Sequence, residues 1–114
     1  ATLLSRFPAE RSQFARIFDG AFAKTGRDDI RSGGYVIETL EAAIWSLLHG
    51  GSFSDIVLRA VNLGGDTDTT GCVAGGLAGV WLGVEAIPSG WKDALSKDPP
   101  LEDLVGRFAA AAAV

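Results

Sequence analysis

An all-α fold is predicted for this chain by three observations. Apolar residues recur at helical spacing in several segments, glycine pairs separate those segments, and no stretch alternates polar and apolar residues between turn signals as a strand would. The expected arrangement is a bundle of about five or six helices joined by short connections.

The first helix is expected over residues 8–24. Phe14, Ile17, Phe18, Ala21 and Phe22 fall on one face, Arg11, Arg16, Asp19 and Lys24 lie off it, and Pro8 suits the first turn. Residues 25–34, with Gly26, Asp28, Asp29, Gly33 and Gly34, have loop composition. A second helix is expected from about Tyr35 to His49, with Val36, Ile37, Leu40, Ala43, Ile44, Leu47 and Leu48 as its apolar face and Gly50–Gly51 as its stop. Ser52, three residues before Asp55, predicts an N-cap. Phe53, Ile56, Val57, Ala60 and Val61 then make the stripe of a third helix that ends near Leu63. A fourth helix is expected from about Thr70 to Leu82, a short one after Pro88, and a last one over about Leu101 to Ala112, where alanine favours helix by propensity. The chain reads as a single all-α unit over residues 1–114.

In the fourth helix Gly71, Gly75, Gly79 and Gly83 recur every four residues and share one side. Four helical glycines cost about 4 kcal/mol relative to alanine, so close approach of a neighbouring backbone is expected to offset them. Val73, Leu77, Val80 and Trp81 are expected to fill space on the other sides.

Composition excludes several functions. The 114 residues carry fourteen acids and ten bases, a net charge of -4, so there is no broad basic surface for nucleic acid. The longest uncharged stretch, Thr69 to Val84, is shorter and richer in glycine than a membrane span, which needs about 20 apolar residues. A single cysteine, Cys72, rules out an internal disulfide framework and fits a reducing, cytoplasmic compartment. Cys72 reads as a small core residue, and His49, at a helix end, as structural. The chain begins with alanine and contains no methionine, so a processed product or an excised piece of a longer protein is expected.

The chemistry is concentrated in Gly64-Gly65-Asp66-Thr67-Asp68-Thr69-Thr70. A helix cap needs one acid. Two acids at i and i+2, set before a buried helix by glycines, are better explained if a cation neutralises their repulsion. All the donors are oxygens, which selects Mg²⁺, Ca²⁺ or Mn²⁺ over zinc or copper. An EF-hand fails because its twelfth position is Leu77 where a glutamate is required. A phosphate cradle fails because the loop offers two negative charges and no lysine. Asp66, Asp68 and a threonine hydroxyl make about three of the six oxygens that Mg²⁺ takes, so further ligands must come from elsewhere. Asp28 and Asp29 read as solvated surface acids.

The run SGGYVIETLEAAIWSLLHGGSFSDIVLRAVNLGGDTDT, followed by GCVAGGLAGVWLG, closely resembles the C-terminal metal motif of the ADP-ribosylglycohydrolase family and the stretch leading to it, over about residues 32–95. The resemblance implies an all-α bundle around a two-magnesium site, with Mn²⁺ as a possible substitute, and Asp66, Asp68 and Thr69 as metal ligands. It also implies that Gly34 and Tyr35 lie along ADP-ribose. The implied activity is hydrolysis of the glycosidic bond between ADP-ribose and a protein side chain or related conjugate. The family's first metal motif, a Thr-Asp-Asp set, has no counterpart here, nor do its phosphate-holding segments or the acid that assists the attacking water. The chain is therefore expected to be a C-terminal part, inactive alone, that exposes an apolar face and either self-associates or meets the rest of the fold. A non-catalytic helical interaction module is the alternative, and a calcium-dependent structural domain a third reading.

Overall fold

The computed structural model describes residues 3–95 and 99–113 and contains only helices, turns and loops among them. A one-turn helix α1 (Leu3–Arg6) is followed by three short 3-10 turns at Arg11–Phe14, Phe22–Lys24 and Arg27–Asp29. Then come α2 (Val36–Leu48), α3 (Phe53–Val61), α4 (Thr67–Leu82), a 3-10 turn at Val84–Ala86, α5 (Ser89–Leu95) and α6 (Pro99–Ala112). No helix among the described residues is long and apolar enough to cross a membrane.

The single helix expected over residues 8–24 is not formed. Backbone N–H groups there bond three residues back, as in Ile17 to Phe14 and Asp19 to Arg16. Two causes are visible. The Asp19 carboxylate accepts the Ala21 N–H at 3.0 Å, a local bond that competes with the helical one. Of the proposed apolar face only Phe22 is buried, while Phe18 is 64% exposed, so little packing supports a continuous helix. The segment is instead strapped onto α2. Arg16 donates to the Glu41 carboxylate at 3.0 Å and to the Asp29 carbonyl at 2.7 Å, and the Trp45 indole N–H donates to the Thr25 carbonyl at 2.8 Å. Phe22, Ile30, Ala42 and Trp45 form the core beneath this strap.

The central packing unit is α2, α3 and α4, which meet pairwise. Ser52 caps α3 through the full reciprocal box: its hydroxyl accepts the Asp55 N–H, and the Asp55 carboxylate accepts the Ser52 N–H. That second bond and the Ser52 hydroxyl hold the Asp55 carboxyl below the usual carboxylate range, the hydroxyl being the larger cause. The end of α2 is closed by Gly50 and Gly51, both at positive φ, and by Arg59, which donates to the Ser46 and Gly50 carbonyls. His49 caps the same helix, its Nδ1 2.9 Å from the Trp45 carbonyl oxygen.

The glycine side of α4 faces α3. A Cβ on Gly71 would stand 2.7 Å from a Val61 methyl, and Gly75 lies against Val57 and Phe53. Ala43, Ala60 and Ala74 fill the seam, with Phe53, Ile56 and Ala78 forming a further cluster toward the other end of α4. Val73 and Leu77 pack as expected. Val80 and Trp81 do not: they are 91% and 76% exposed, and Cys72 is exposed as well. All three lie on the part of α4 that neither α2 nor α3 covers.

Large apolar side chains are also exposed on α6, where Leu104, Val105 and Phe108 lie at helical spacing and every described residue is exposed. The solvent-accessible area is 7813 Å² for 11.9 kDa, whereas a compact monomer of that mass exposes about 5,900 Å². The radius of gyration, 16.1 Å, likewise exceeds the about 13 Å of a compact domain this long.

Candidate functional site

The acidic loop opens α4 one turn earlier than expected, at Thr67 instead of Thr70, so Thr67, Asp68 and Thr69 stand in the first helical turn. The physical reason is the cap: Asp66 is the N-cap, and its carboxylate accepts the Thr69 N–H at 3.4 Å. The Asp68 carboxylate accepts the same N–H at 2.9 Å. Both carboxyls thus converge on one backbone donor. The Asp68 carboxyl is held below the usual carboxylate range, first by a hydrogen bond shared with Asp66 and then by the Thr69 N–H.

Ahead of the helix, Gly64 and Gly65 take φ of +85° and +67°, the left-handed region that glycine occupies without strain. They turn the chain against residues 32–35. The Ser32 hydroxyl donates to the Gly64 carbonyl at 2.6 Å, and the Asp66 N–H donates to the Ser32 carbonyl at 2.7 Å. Gly34, at φ +89°, comes so near that a Cβ there would stand 2.9 Å from an Asp66 carboxylate oxygen. The Gly33 N–H donates to the Glu38 carboxylate at 3.2 Å, tying the turn to the first turn of α2. Tyr35 is the N-cap of α2 and is 57% exposed.

The structure therefore brings Gly34 beside Asp66, although the two are some thirty residues apart in sequence, while the Tyr35 hydroxyl donates to the Gln13 side-chain oxygen at 3.5 Å. Asp28 and Asp29 are not brought there. They line an open depression of about 850 Å³ with Arg16, Lys24, Tyr35 and Glu41, and neither Asp66 nor Asp68 borders it. Among the described residues no group of three His, Cys, Asp or Glu side chains is placed to hold a metal. Asp66, Asp68 and the Thr69 hydroxyl fit a hard divalent cation in chemistry, since all are oxygen donors and two are anionic, and in number they fill about half its shell. Sequence reasoning did not single out Ser32 or Glu38, whose roles depend on partners outside their own helical pattern.

A family model described as ADP-ribosylglycohydrolase matches residues 2–114. The chain is 41% identical over 85 residues to the ADP-ribosylarginine hydrolase Tri1 of Serratia proteamaculans, a match covering 75% of this chain and 23% of that protein. It is 39% identical over 100 residues to the ADP-ribosylarginine hydrolase Tri1 of Pseudomonas putida, covering 85% of this chain and 27% of that protein. An ADP-ribosyl-dinitrogen reductase glycohydrolase of Rhodospirillum rubrum is 41% identical over 61 residues, covering 54% of this chain and 21% of that protein. No solved structure gives a significant match. The chain thus spans about a quarter of the length of the two hydrolases named first. Over nearly all of its own length, however, it follows one family model, its described residues are all-helical, and it belongs to the ADP-ribosylglycohydrolase family.

Proposed function

We propose that this chain is the C-terminal, metal-motif-bearing part of a magnesium-dependent hydrolase that cleaves the glycosidic bond between ADP-ribose and a protein side chain. In this reading Asp66, Asp68 and Thr69 hold Mg²⁺, or Mn²⁺ in its place, and Gly34 and Tyr35 line the ADP-ribose. The observation that carries it is the contact of the Gly34 turn with the Asp66 carboxylate, which sets a candidate nucleotide-sugar surface beside the candidate cation ligands. Mg²⁺ bound there supplies Lewis-acid polarisation and a fixed point for ribose hydroxyls. The chain's own part is to hold the two carboxylates and the threonine hydroxyl at the rigid start of α4, with the Tyr35 ring available to lie along a flat group. An arginine linkage is the first to test, because two relatives carry that linkage in their names.

With about three protein ligands, the chain alone is expected to bind Mg²⁺ weakly and to be inactive. Titration calorimetry with Mg²⁺ and with Mn²⁺ tests the ligand set, Asp68→Ala being expected to abolish the heat. Equal heats in parent and variant would remove the metal site. Robust hydrolysis of an ADP-ribosylated arginine peptide by the 114-residue chain alone would refute the partial-site reading. The exposed apolar residues of α4 and α6 favour a second reading, a non-catalytic module that associates through those faces. Activity on joining the chain to the remainder of a family fold would decide against that module.

A further inference from the structure

We infer that Ser32 is a positioning residue that fastens the turn carrying Gly34 and Tyr35 to the loop carrying Asp66, so that the two segments move as one unit. Ser32 is buried, 8% exposed, and bonds on both sides of Gly65. Its hydroxyl donates to the carbonyl of Gly64 at 2.6 Å, and its own carbonyl accepts the N–H of Asp66 at 2.7 Å. Two bonds from one residue to either neighbour of Gly65 leave that peptide little freedom to rotate, which fixes the direction in which Asp66 leaves the backbone. The approach is close enough that a Cβ on Gly65 would lie 2.3 Å from the Ser32 carbonyl oxygen. On its other side the turn is anchored by the Gly33 N–H donating to Glu38.

The consequence for ligands rests on the proposed function. A cation that draws on the Asp66 carboxylate stiffens the Gly34–Tyr35 turn through Ser32, and a ligand lying along Tyr35 restrains Asp66 in return, since coupling between two sites is reciprocal.

The test uses amide NMR of the 114-residue chain, with and without MgCl₂. In the parent, the Asp66 amide is expected to exchange far more slowly than the amide of Gly51. Ser32→Ala is expected to speed Asp66 exchange by about tenfold, the loss of roughly one hydrogen bond's worth of local stability, while helix-interior amides such as Ala60 and Ala78 keep their protection. Ser32→Thr, which keeps the hydroxyl, is expected to restore most of it. Fast Asp66 exchange in the parent overturns the inference even if Ser32→Ala fails to fold, and unchanged exchange in a folded Ser32→Ala overturns it equally. In the parent, MgCl₂ is expected to shift the amides of Gly33 to Tyr35 together with those of Asp66 to Thr69. In Ser32→Ala only the second group is expected to shift, and an undiminished response of the first refutes the coupling. Absence of any Mg²⁺ response in the parent removes the cation reading and leaves the clamp to be decided by exchange alone.

Discussion

Gly64 and Gly65 offer a controlled comparison, because both have positive φ but only one is crowded. A Cβ on Gly64 meets nothing within 4 Å, whereas on Gly65 it falls 2.3 Å from the Ser32 carbonyl oxygen, about an ångström short of van der Waals contact. Alanine at either position bears the left-handed backbone cost of about 1–2 kcal/mol. At Gly65 the contact is with backbone, which no side-chain rotation can relieve. Overpacking there adds about 1–3 kcal/mol, and the Asp66 N–H bond to Ser32, worth about 1 kcal/mol net, is lost as the segments separate. Gly64→Ala is therefore expected to destabilise the chain by about 1–2 kcal/mol and Gly65→Ala by about 3–6 kcal/mol. Urea unfolding followed by circular dichroism measures both. A difference between the two variants of less than about 0.5 kcal/mol would refute the close-approach account, because it would mean that residues 32 and 65 do not meet in solution.

Other expectations test other parts of the fold. Ser52→Ala removes the cap of α3 and should cost about 1 kcal/mol in the same unfolding assay. Because the folded Asp55 carboxyl titrates below its ordinary value of 3.8, the contribution of this box is complete above that value and is lost as pH falls through the lower folded one. An acid titration of stability should therefore be flatter at its low end in Asp55→Asn than in the parent. Gly76 faces open space, so Gly76→Ala should stabilise α4 by about 1 kcal/mol through helix propensity. Gly71→Ala should instead be destabilising by thermal melt, its new methyl standing 2.7 Å from that of Val61. Trp81→Gln with Phe108→Gln should change unfolding stability by no more than about 0.5 kcal/mol, both sites being mostly exposed, but should shift the chain toward monomer in static light scattering. An unchanged association state would remove these faces as contact surfaces.

The elements most legible in the sequence were those whose ends carry their own chemistry. Ser52 with Asp55, and the glycine pairs at positive φ after α2 and α3, mark boundaries by local geometry that needs no distant partner. The two acids of the candidate site were legible for a similar reason, since they and their glycines are contiguous in sequence, whereas Gly34 and Tyr35 were singled out only by the resemblance to the family. What was not legible depended on partners. Residues 8–24 have the periodicity of a helix, but an apolar face forms a helix only where something covers it, and here α2 takes Phe22 alone from that face. Val80 and Trp81 have core composition, yet they point away from both neighbours of α4. Glu41 shows the reverse, a charged residue that is 7% exposed because Arg16 reaches it from the strap. The early start of α4 followed from which acid caps the helix, a choice between Asp66 and Asp68 that spacing leaves open.

The alanine seam between α2, α3 and α4 gives this fold an asymmetric response to change. Ala43, Ala60, Ala74 and Ala78 are all at 0% exposure, and Gly71 and Gly75 face the same neighbour. These side chains are already at or near the smallest available, so truncation, the usual way a core is weakened, has almost nothing to remove. Nearly every replacement enlarges the residue and forces the helix axes apart. A saturation scan across the seam should therefore lack the graded tolerance of a leucine-rich core, in which one apolar residue substitutes for another. Tolerance should fall steeply with added volume and hardly depend on polarity, so that serine is accepted more readily than leucine at a position no water reaches.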